Sequence, residues 1–394
     1  MGPPPPEPFP DEIVEEILVR VAPDDPASLA RAAASSKPWC RIVTAPAFRT
    51  RFLGLHRGPP PLLGFLCDLK GPVTARFVPT STFRPPRAHH RGFRPHDARH
   101  GRVLLRPHPS HHAAFGLVVW DPVTDERTKL PRPPLFASTW RAAVLCAAAA
   151  DGTCDHLDCH RGPFIVVYVL DHHREGILTC VYSSEAGTWS KPVYDGHRRI
   201  LRNFLSGERG ALAKNALHFM IGNENSILRC DLRTLKMSVI HLPRLHSDRR
   251  LTPPVPIMLT TMEDGRLGFA VVEGSRFCLW SIDDREFGWL LVKVIDLKKL
   301  LPLDASSTAN PRLLGFAEGV GVIFLSVGNE IFTVDLKSTL VNKVYEGSGV
   351  TGIIPYMTLC TPVMGVPSTD DGSGAGGSTD QWSCVASGLR SQGK

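Results

Sequence analysis

The chain has 394 residues, of which 43% are hydrophobic and 21% are charged, and its formal net charge is +7. This balance excludes a disordered chain, and the absence of a Gly-X-Y period or of sustained heptads excludes collagen and coiled coils. Apolar runs such as 142–150 are far shorter than the ~20 residues of a membrane span, and no secretory signal is expected. The 10 cysteines are scattered, which we interpret as reduced thiols in an intracellular protein, nuclear or cytoplasmic.

The positive charge is concentrated in one segment. Residues 84–112 contain seven arginines and a single acid, Asp97, and therefore carry +6 of the net charge of +7. Because the remainder is nearly neutral and few aromatic side chains accompany the arginines, a nucleic-acid-binding protein is not expected. We interpret the segment as a solvated insertion between two strands, with a partner contact as the alternative.

The first residues predict a disordered lead followed by a helix. Residues 1–8 are rich in proline and should be extended. Pro10, followed by two acids, is typical of a helix start. Ile13, Ile17 and Val21 then recur at helical spacing and form one apolar stripe.

Two further helices are predicted before residue 54. Asp25 followed by Pro26 is a typical N-cap and first-turn pair, which opens a helix over 26–36. Pro38 is expected to break the chain, and Pro46 opens the third helix. Three short helices bury too little surface to be stable alone, so a second apolar face would imply a partner chain.

From residue 54 onward, short β-strands separated by turns are predicted, without a convincing helix of three or more turns. Three segments share one design, in which a strand ends at Asp121, Asp231 or Asp335 and Ser or Thr follows three residues later. The Asp side chain can accept hydrogen bonds from the turn backbone. The spacings of 110 and 104 residues fit two or more propeller blades per interval, and about six or seven blades fit the whole region.

One cluster has metal-ligand chemistry, namely Cys154, His156, Cys159 and His160. Zinc prefers thiolate and imidazole ligands, but structural sites usually combine ligand pairs from separate elements. Here all four lie within seven residues, and such crowding makes a tetrahedral shell difficult. We therefore expect an ordinary reduced loop, with no metal and no cofactor.

Motifs of catalysis are missing from the sequence. It contains no G-x-S-x-G, H-E-x-x-H, P-loop or Rossmann glycine pattern, so an enzyme is not expected. The tryptophans of the β-rich region are predicted to pack blades rather than to line a cofactor site. They are Trp120, Trp140, Trp189, Trp280 and Trp289.

Residues 9–53 resemble an F-box. The resemblance rests on four blocks that occur in the family order, Phe9–Val21, Asp24–Ala32, Lys37–Val43 and Pro46–Phe52. The family pattern opens with Leu-Pro and has a basic residue before the tryptophan. This chain has Phe9 and Pro38 at those positions.

The region that follows resembles the F-box-associated β-propeller domains that are abundant in grasses. We assign residues 54–366 to this all-β propeller, after the small all-α F-box, and residues 367–394 to a disordered Gly/Ser tail. The landmarks that carry the resemblance are Arg99–Leu105, Cys154–His160, Leu279–Ser281, Val294–Leu297, Gly315–Gly319, Ile323–Phe324 and Ile354–Met357.

Together the two resemblances imply a plant substrate-receptor subunit of a Skp–cullin–F-box ubiquitin ligase. The F-box would bind a Skp-type adaptor, and through it cullin, while the propeller would bind a target protein. Such a subunit is non-catalytic, because it only holds the target near the conjugating enzyme; no membrane partner is implied. The adaptor-binding residues that the resemblance implies are Phe9, Pro10, Ile13, Ile17, Leu18, Leu29, Trp39 and Ile42.

Two hypotheses from other classes stay open. A degenerate F-box, for which Pro38 leaves room, would make the chain a protein-interaction scaffold outside the ubiquitin pathway. A pocket with converging carboxylates or a bound metal would favour a propeller hydrolase or a lectin-like binder instead.

Overall fold

The computed structural model describes most of the chain between residues 9 and 362. The predicted disordered lead (1–8) and tail (367–394) lie outside the described residues. The described ranges are 9–69, 74–108, 116–135, 139–151, 154–172, 176–195, 209–221, 226–243, 256–283, 288–301 and 310–362.

Short helices precede the strands. Asp25 caps the second helix, since its Oδ1 accepts a hydrogen bond from Ser28 N at 3.3 Å, and Ser36 Oγ caps the third by accepting one from Trp39 N at 3.3 Å. No helix among the described residues has the length and apolar character that a membrane crossing needs. The four helices of the described chain are α1 (Asp11–Leu18), α2 (Pro26–Ser35), α3 (Lys37–Thr44) and α4 (Pro46–Leu55).

The expectation of three helices was wrong, because α3 lies where Pro38 was expected to break the chain. Pro38 is in the first turn of α3. Backbone N–H groups have no intrahelical partner there, so a proline costs no hydrogen bond and its fixed φ suits the helix. Ser36 supplies the cap that makes this start possible.

The strands in the described part of the chain form six antiparallel sheets, the blades of a β-propeller. Blade 1 consists of β25 (Val350–Met357), β1 (Leu62–Leu69), β2 (Thr74–Pro79) and β3 (His89–Arg91). Blade 2 consists of β4 (Phe93–Arg99), β5 (Arg102–Pro107), β6 (Val118–Trp120) and β7 (Arg127–Lys129). Blade 3 consists of β8 (Trp140–Cys146), β9 (Phe164–His172), β10 (Gly176–Ser183), β11 (Thr188–Trp189) and β12 (Val193–Asp195).

The second half of the ring repeats this plan. Blade 4 consists of β13 (Ala211–Ala213), β14 (Ala216–Ile221), β15 (Ser226–Asp231) and β16 (Met237–His241). Blade 5 consists of β17 (Ile257–Thr261), β18 (Leu267–Glu273), β19 (Arg276–Asp283) and β20 (Gly288–Asp296). Blade 6 consists of β21 (Arg312–Ala317), β22 (Val322–Val327), β23 (Glu330–Asp335) and β24 (Val341–Glu346). The sequence predicted about six or seven blades, and the described strands form six.

The ring is closed by the end of the chain. The last strand, β25, pairs antiparallel with β1, so that Ile354 lies opposite Leu66. Blade 1 therefore takes its innermost strand from the C-terminal part of the chain and its other strands from the N-terminal part. β25 also contacts β21 and β4, the inner strands of the two neighbouring blades, and so completes the ring.

The core lies between neighbouring blades. Each pair of adjacent blades encloses its own buried apolar cluster, and Trp120 is fully buried in the one between blades 1 and 2. Trp140 and Trp189 pack against the cluster between blades 2 and 3, and Trp280 and Trp289 against the one between blades 4 and 5. The prediction that these tryptophans pack blades is confirmed.

The interpretation of the arginine-rich segment as a solvated insertion was wrong for its β-strands, although Arg84, Arg87 and Arg91 are exposed. β3, β4 and β5 run through it, and Arg99 and Arg102 are buried. Arg102 can be buried because its guanidinium donates to two loop carbonyls, that of Cys159 at 3.0 Å and that of Gly162. The side chains of Arg99 and Arg102 thus point inward, where they donate to backbone carbonyls outside blade 2.

The predicted Asp turn is present in three blades. Asp121 directly follows the third strand of blade 2, Asp231 and Asp335 are the last residues of the third strands of their blades, and all three accept hydrogen bonds from the turn backbone. These three turns lie in blades 2, 4 and 6, so each of the sequence intervals of 110 and 104 residues spans two blades. Blade 3 has the same turn with Ser183 in place of Asp, since Gly187 N donates to Ser183 O at 2.8 Å.

Candidate functional site

Large apolar side chains are exposed on the helical module. Phe9 is 69% exposed, Ile13 47%, Ile17 59% and Trp39 37%. The spacing of four residues puts Ile13 and Ile17 on one face of α1, which packs against the helix that carries Trp39. We call these four residues the apolar face; exposed side chains of this kind typically mark an interaction surface.

The other predicted adaptor-binding residues differ in exposure. Pro10 is exposed at the start of α1, and Ile42 is half-buried. Leu18 and Leu29 are 7% and 1% exposed and lie in the core between the helices. The structure therefore brings part of the predicted set to the surface, while the two leucines hold the helices together.

The helical module is packed against the propeller. Its buried core, which includes Phe48 and Phe52, is completed by Leu157 and Leu359 from the propeller. Leu359 N donates a hydrogen bond to Leu157 O at 3.2 Å, so the two leucines are also held to each other. The propeller thus supplies apolar surface that such small helices lack.

A line of alternating charges runs from α4 into blade 2. The Arg49 guanidinium pairs with Asp158, whose Oδ1 lies 3.0 Å from His160 Nε2, and His160 Nδ1 lies 2.7 Å from Asp121 Oδ2. Burial disfavours the imidazolium, but the two carboxylates outweigh this effect and raise the pKa of His160 to about 9. His160, which the sequence grouped with possible metal ligands, is thus held between carboxylates.

The other three members of that sequence cluster do come together. The thiols of Cys154 and Cys159 and the ring of His156 converge with the thiol of Cys146, at the end of β8. Sequence analysis missed Cys146 because it precedes Cys154 by eight residues and belongs to a strand. The one indication in the sequence that Cys146 could join the cluster is its position at the end of a strand, just before the cysteine-rich loop.

A basic cavity lies at one mouth of the propeller channel. The inner strands of all blades run in the same direction, so their first residues gather at this mouth. The cavity has a volume of about 340 Å³, and its lining includes Arg94, Arg106, Arg141 and Arg312 with Asp68. The helices contact Leu359, just after the end of β25, and therefore lie toward the opposite mouth.

A balanced charge cluster lies deeper in the channel. Arg209 Nε is 2.8 Å from Asp97 Oδ1, and Arg99 Nη1 is 3.5 Å from Glu318 Oε2. Among the described residues, two cations thus meet two carboxylates and their charges balance. The excess positive charge of the channel belongs to the arginines at the mouth, which suits an anionic group.

Comparisons with known proteins agree with this architecture. A sequence profile for the family described as "F-box protein AT5G49610-like, beta-propeller" matches residues 95–364. The matched residues run from β4 through β25 and make up more than half of the chain. No curated protein sequence matches the chain.

Solved structures show a distant likeness. A chain of the mitotic checkpoint complex is 14% identical, with a TM-score of 0.35, and the match covers 65% of this chain and 64% of that one, just under two thirds. YCF48 bound to D1 peptide is 10% identical, with a TM-score of 0.40 and coverage of 78% and 96%. A functionally unknown protein from Desulfotomaculum acetoxidans is 12% identical, with a TM-score of 0.41 and coverage of 75% and 89%.

The family assignment rests on the profile match and agrees with the observed ring of blades. On this evidence, the chain belongs to the family described as "F-box protein AT5G49610-like, beta-propeller", whose match covers most of the propeller and not the four helices.

Proposed function

We propose that residues 9–53 form an F-box and that the chain is the non-catalytic substrate receptor of a Skp–cullin–F-box ubiquitin ligase. The observation that carries this proposal is the apolar face of Phe9, Ile13, Ile17 and Trp39, which stays exposed although the core of the helices is already filled. Complete burial of a fully exposed side chain of this size is favourable by about 1.5–3 kcal/mol, and each of these partly exposed side chains would contribute a fraction of that against a partner. A Skp-type adaptor is the partner that the F-box resemblance implies.

In this proposal the two ends of the molecule bind different partners. The helices bind the adaptor, and through it cullin, while the propeller holds the target. The chain forms no covalent bond, and its contribution to ubiquitin transfer is to raise the effective concentration of a target lysine. We also propose that the protein is intracellular and that it is a plant-type F-box protein.

We infer that the target docks at the basic mouth and that its docking segment is acidic. The mouth carries Arg94, Arg106, Arg141 and Arg312, and Arg312 is exposed. It faces away from the helices, so target and adaptor would not compete for the same surface. Complementary charge of this kind favours fast and specific encounter.

The adaptor proposal predicts that Ile17→Asp abolishes capture of a Skp-type adaptor. A carboxylate in an apolar interface loses its hydration without gaining a partner, so affinity should fall by at least about tenfold. The measurement is co-purification of the adaptor with the full chain, followed by titration of both forms in a calorimeter. Leu340→Asp is the matched control, because Leu340 is 60% exposed against 59% for Ile17 but lies in a propeller turn.

Equal capture of the adaptor by the wild type and by Ile17→Asp would contradict the proposal. Failure of the folded wild-type chain to capture any Skp-type adaptor would favour the scaffold hypothesis instead. Circular dichroism of the variants confirms that the blades stay folded.

A further inference from the structure

Four potential metal ligands from two elements meet at the helix-facing end of the propeller. Cys146 is the last residue of β8, and Cys154, His156 and Cys159 belong to the connection between β8 and β9. Their ligand atoms, three sulfurs and one ring nitrogen, all lie within 4.8 Å of one another. We call these residues the Cys₃His cluster.

The separations suit a tetrahedral zinc ion. Zn–S bonds of about 2.3 Å and Zn–N bonds of about 2.0 Å place tetrahedral ligand atoms about 3.5–3.8 Å apart. Cys159 Sγ and His156 Nδ1 are already 3.7 Å apart. Small side-chain rotations bring atoms within 4.8 Å to such distances, and three thiolates with one imidazole are a known structural zinc set.

Contacts around the cluster hold its members in place. His156 N donates to Cys154 Sγ at 3.4 Å, and the His156 ring stacks on His100 with centroids 4.0 Å apart. His100 Nδ1 in turn accepts from Cys146 N at 2.9 Å, which connects the loop to β8. Outer contacts of this kind orient ligands in metal sites.

The charge of the surroundings also suits the ion. Three thiolates and Zn²⁺ carry one net negative charge. Arg102 Nη1 donates to Cys159 O at 3.0 Å, so a buried guanidinium lies beside the cluster. This cation compensates part of the negative charge of the half-buried cluster.

We propose that Cys146, Cys154, His156 and Cys159 bind one structural zinc ion. This differs from the expectation of a metal-free loop, which assumed that His160 was the fourth ligand and that all ligands shared one turn. In the structure His160 lies between Asp121 and Asp158. Cys146 is the fourth potential ligand instead of His160. It belongs to β8, so the four ligands do not all have to come from one turn.

The zinc ion would fix the surface on which the helices rest. Between the ligands His156 and Cys159 lie Leu157, which completes the helical core, and Asp158, which pairs with Arg49. One ion would therefore define the orientation of the helical module on the propeller. The zinc proposal does not depend on the proposed adaptor.

The test is the metal content of the full chain. The purified protein is reduced, supplied with Zn²⁺, desalted and analysed by inductively coupled plasma mass spectrometry. We expect close to one zinc ion per wild-type chain and loss of that ion in Cys146→Ser and in Cys159→Ser. Cys278→Ser is the matched control, since Cys278 is also a half-buried free thiol but lies in blade 5, and it should keep the ion.

X-ray absorption at the zinc edge of the unmodified chain decides the result if the ligand variants do not fold. Three sulfur neighbours and one nitrogen neighbour would support the proposal. A shell of nitrogen and oxygen only, or folded ligand variants that keep the full zinc content, would overturn it. A folded wild-type chain that binds no zinc after reduction would overturn it as well.

Discussion

Individual side chains of β4 connect blade 2 to blade 3. His96 Nε2 accepts from Ala142 N at 3.1 Å, and Asp97 Oδ2 accepts from Val144 N at 3.1 Å. Burial holds the pKa of His96 well below its usual value, so the ring stays neutral and keeps its acceptor nitrogen. The basic-looking segment thus contributes two hydrogen-bond acceptors, one neutral imidazole and one carboxylate, to the contact between blades.

Buried histidines also make the stability dependent on pH. Burial, with Arg229 nearby, lowers the pKa of His218 to about 4. Between this pKa and the ordinary value of about 6.5, the unfolded chain binds a proton that the folded chain does not. The contribution of His218 to stability is therefore fully present above the unfolded pKa of about 6.5 and is lost as the pH falls toward the folded pKa of about 4.

We predict that His218→Gln removes part of this acid sensitivity. From the two pKa values, His218 alone should lower the free energy of unfolding by about 2 kcal/mol between pH 8 and pH 5. Urea titrations at both pH values measure the loss in the wild type and in the variant. An equal loss in both would contradict the prediction, and exposed His89→Gln controls for removal of an imidazole in itself.

Single glycines matter where two parts of the chain approach closely. Gly101 has a φ of +74°, and a Cβ at this position would lie 2.6 Å from His160 Cβ and 2.8 Å from Thr358 Oγ1. The turn between β4 and β5 can therefore lie against the His160 loop only because residue 101 has no side chain.

At the scale of elements, helix α1 is apolar on two sides. Val14 and Leu18 face the core of the helices, while Ile13 and Ile17 face outward. A helix that only had to pack on its own module would need one apolar stripe. The second stripe is the element-level reason for expecting a partner.

The four related turns between third and fourth strands differ in how they accommodate a positive φ. The fifth turn residue is Asp125, Leu235 and Thr339 in blades 2, 4 and 6, with φ of 61°, 55° and 58°. In blade 3 the fifth turn residue is Gly187, which has a φ of 66°, and no other atom lies within 4 Å of the position that a Cβ would take. Threonine is the least suited of these, because a branched Cβ crowds the left-handed conformation.

We predict that Thr339→Gly raises the free energy of unfolding by about 1 kcal/mol. The left-handed conformation costs about 1–2 kcal/mol for an L-residue, and part of the gain is offset by the greater chain entropy of glycine. Chemical denaturation measures the change. Gly187→Thr is the reciprocal control and should destabilise by a similar amount; a loss of stability in Thr339→Gly would refute the argument.

At the scale of the whole molecule, ring closure gathers charges that are distant in sequence. Arg94 and Arg141 are the second residues of β4 and β8, and Arg312 is the first residue of β21. All three line the same cavity because the inner strands run in parallel around the channel. Asp68 reduces the charge by an ion pair with Arg94 at 3.3 Å. The mouth keeps a positive excess.

We predict that the double variant Arg106→Glu with Arg312→Glu loses affinity for acidic peptides. A fluorescent heptaglutamate peptide serves as the probe, and its anisotropy measures binding at low and at high salt. Reversal of two charges at the mouth should weaken binding by at least about tenfold at low salt, with the difference reduced at high salt. Arg233→Glu with Arg276→Glu is the control, because both arginines are exposed outside the cavity lining.

Unchanged peptide binding by the mouth variant would exclude this surface as the acidic-segment site. Loss of adaptor capture in the same variant would also count against it, because the helices contact the propeller toward the other mouth.

Features that depend on near neighbours in the chain were determined by the sequence alone. The helix starts at Pro10, Asp25 and Pro46, the Asp turns at Asp231 and Asp335, and the all-β character after residue 54 each depend on a few adjacent residues. Capping, turn formation and strand alternation act over such short distances. Pro38 was misjudged because one proline can either end a helix or start one, and Ser36 decides between them.

Features that depend on distant residues were decided by the tertiary structure. The count of six blades, the exposure of Ile17 but not of Leu18, and the inward course of Arg99 follow from which surfaces meet. The arrival of Cys146 beside Cys154 depends on how a loop returns to the end of a strand. Local patterns cannot encode these features, because each depends on contacts between residues that only the folded chain brings together, and ring closure through the pairing of β25 with β1 is the most distant of them.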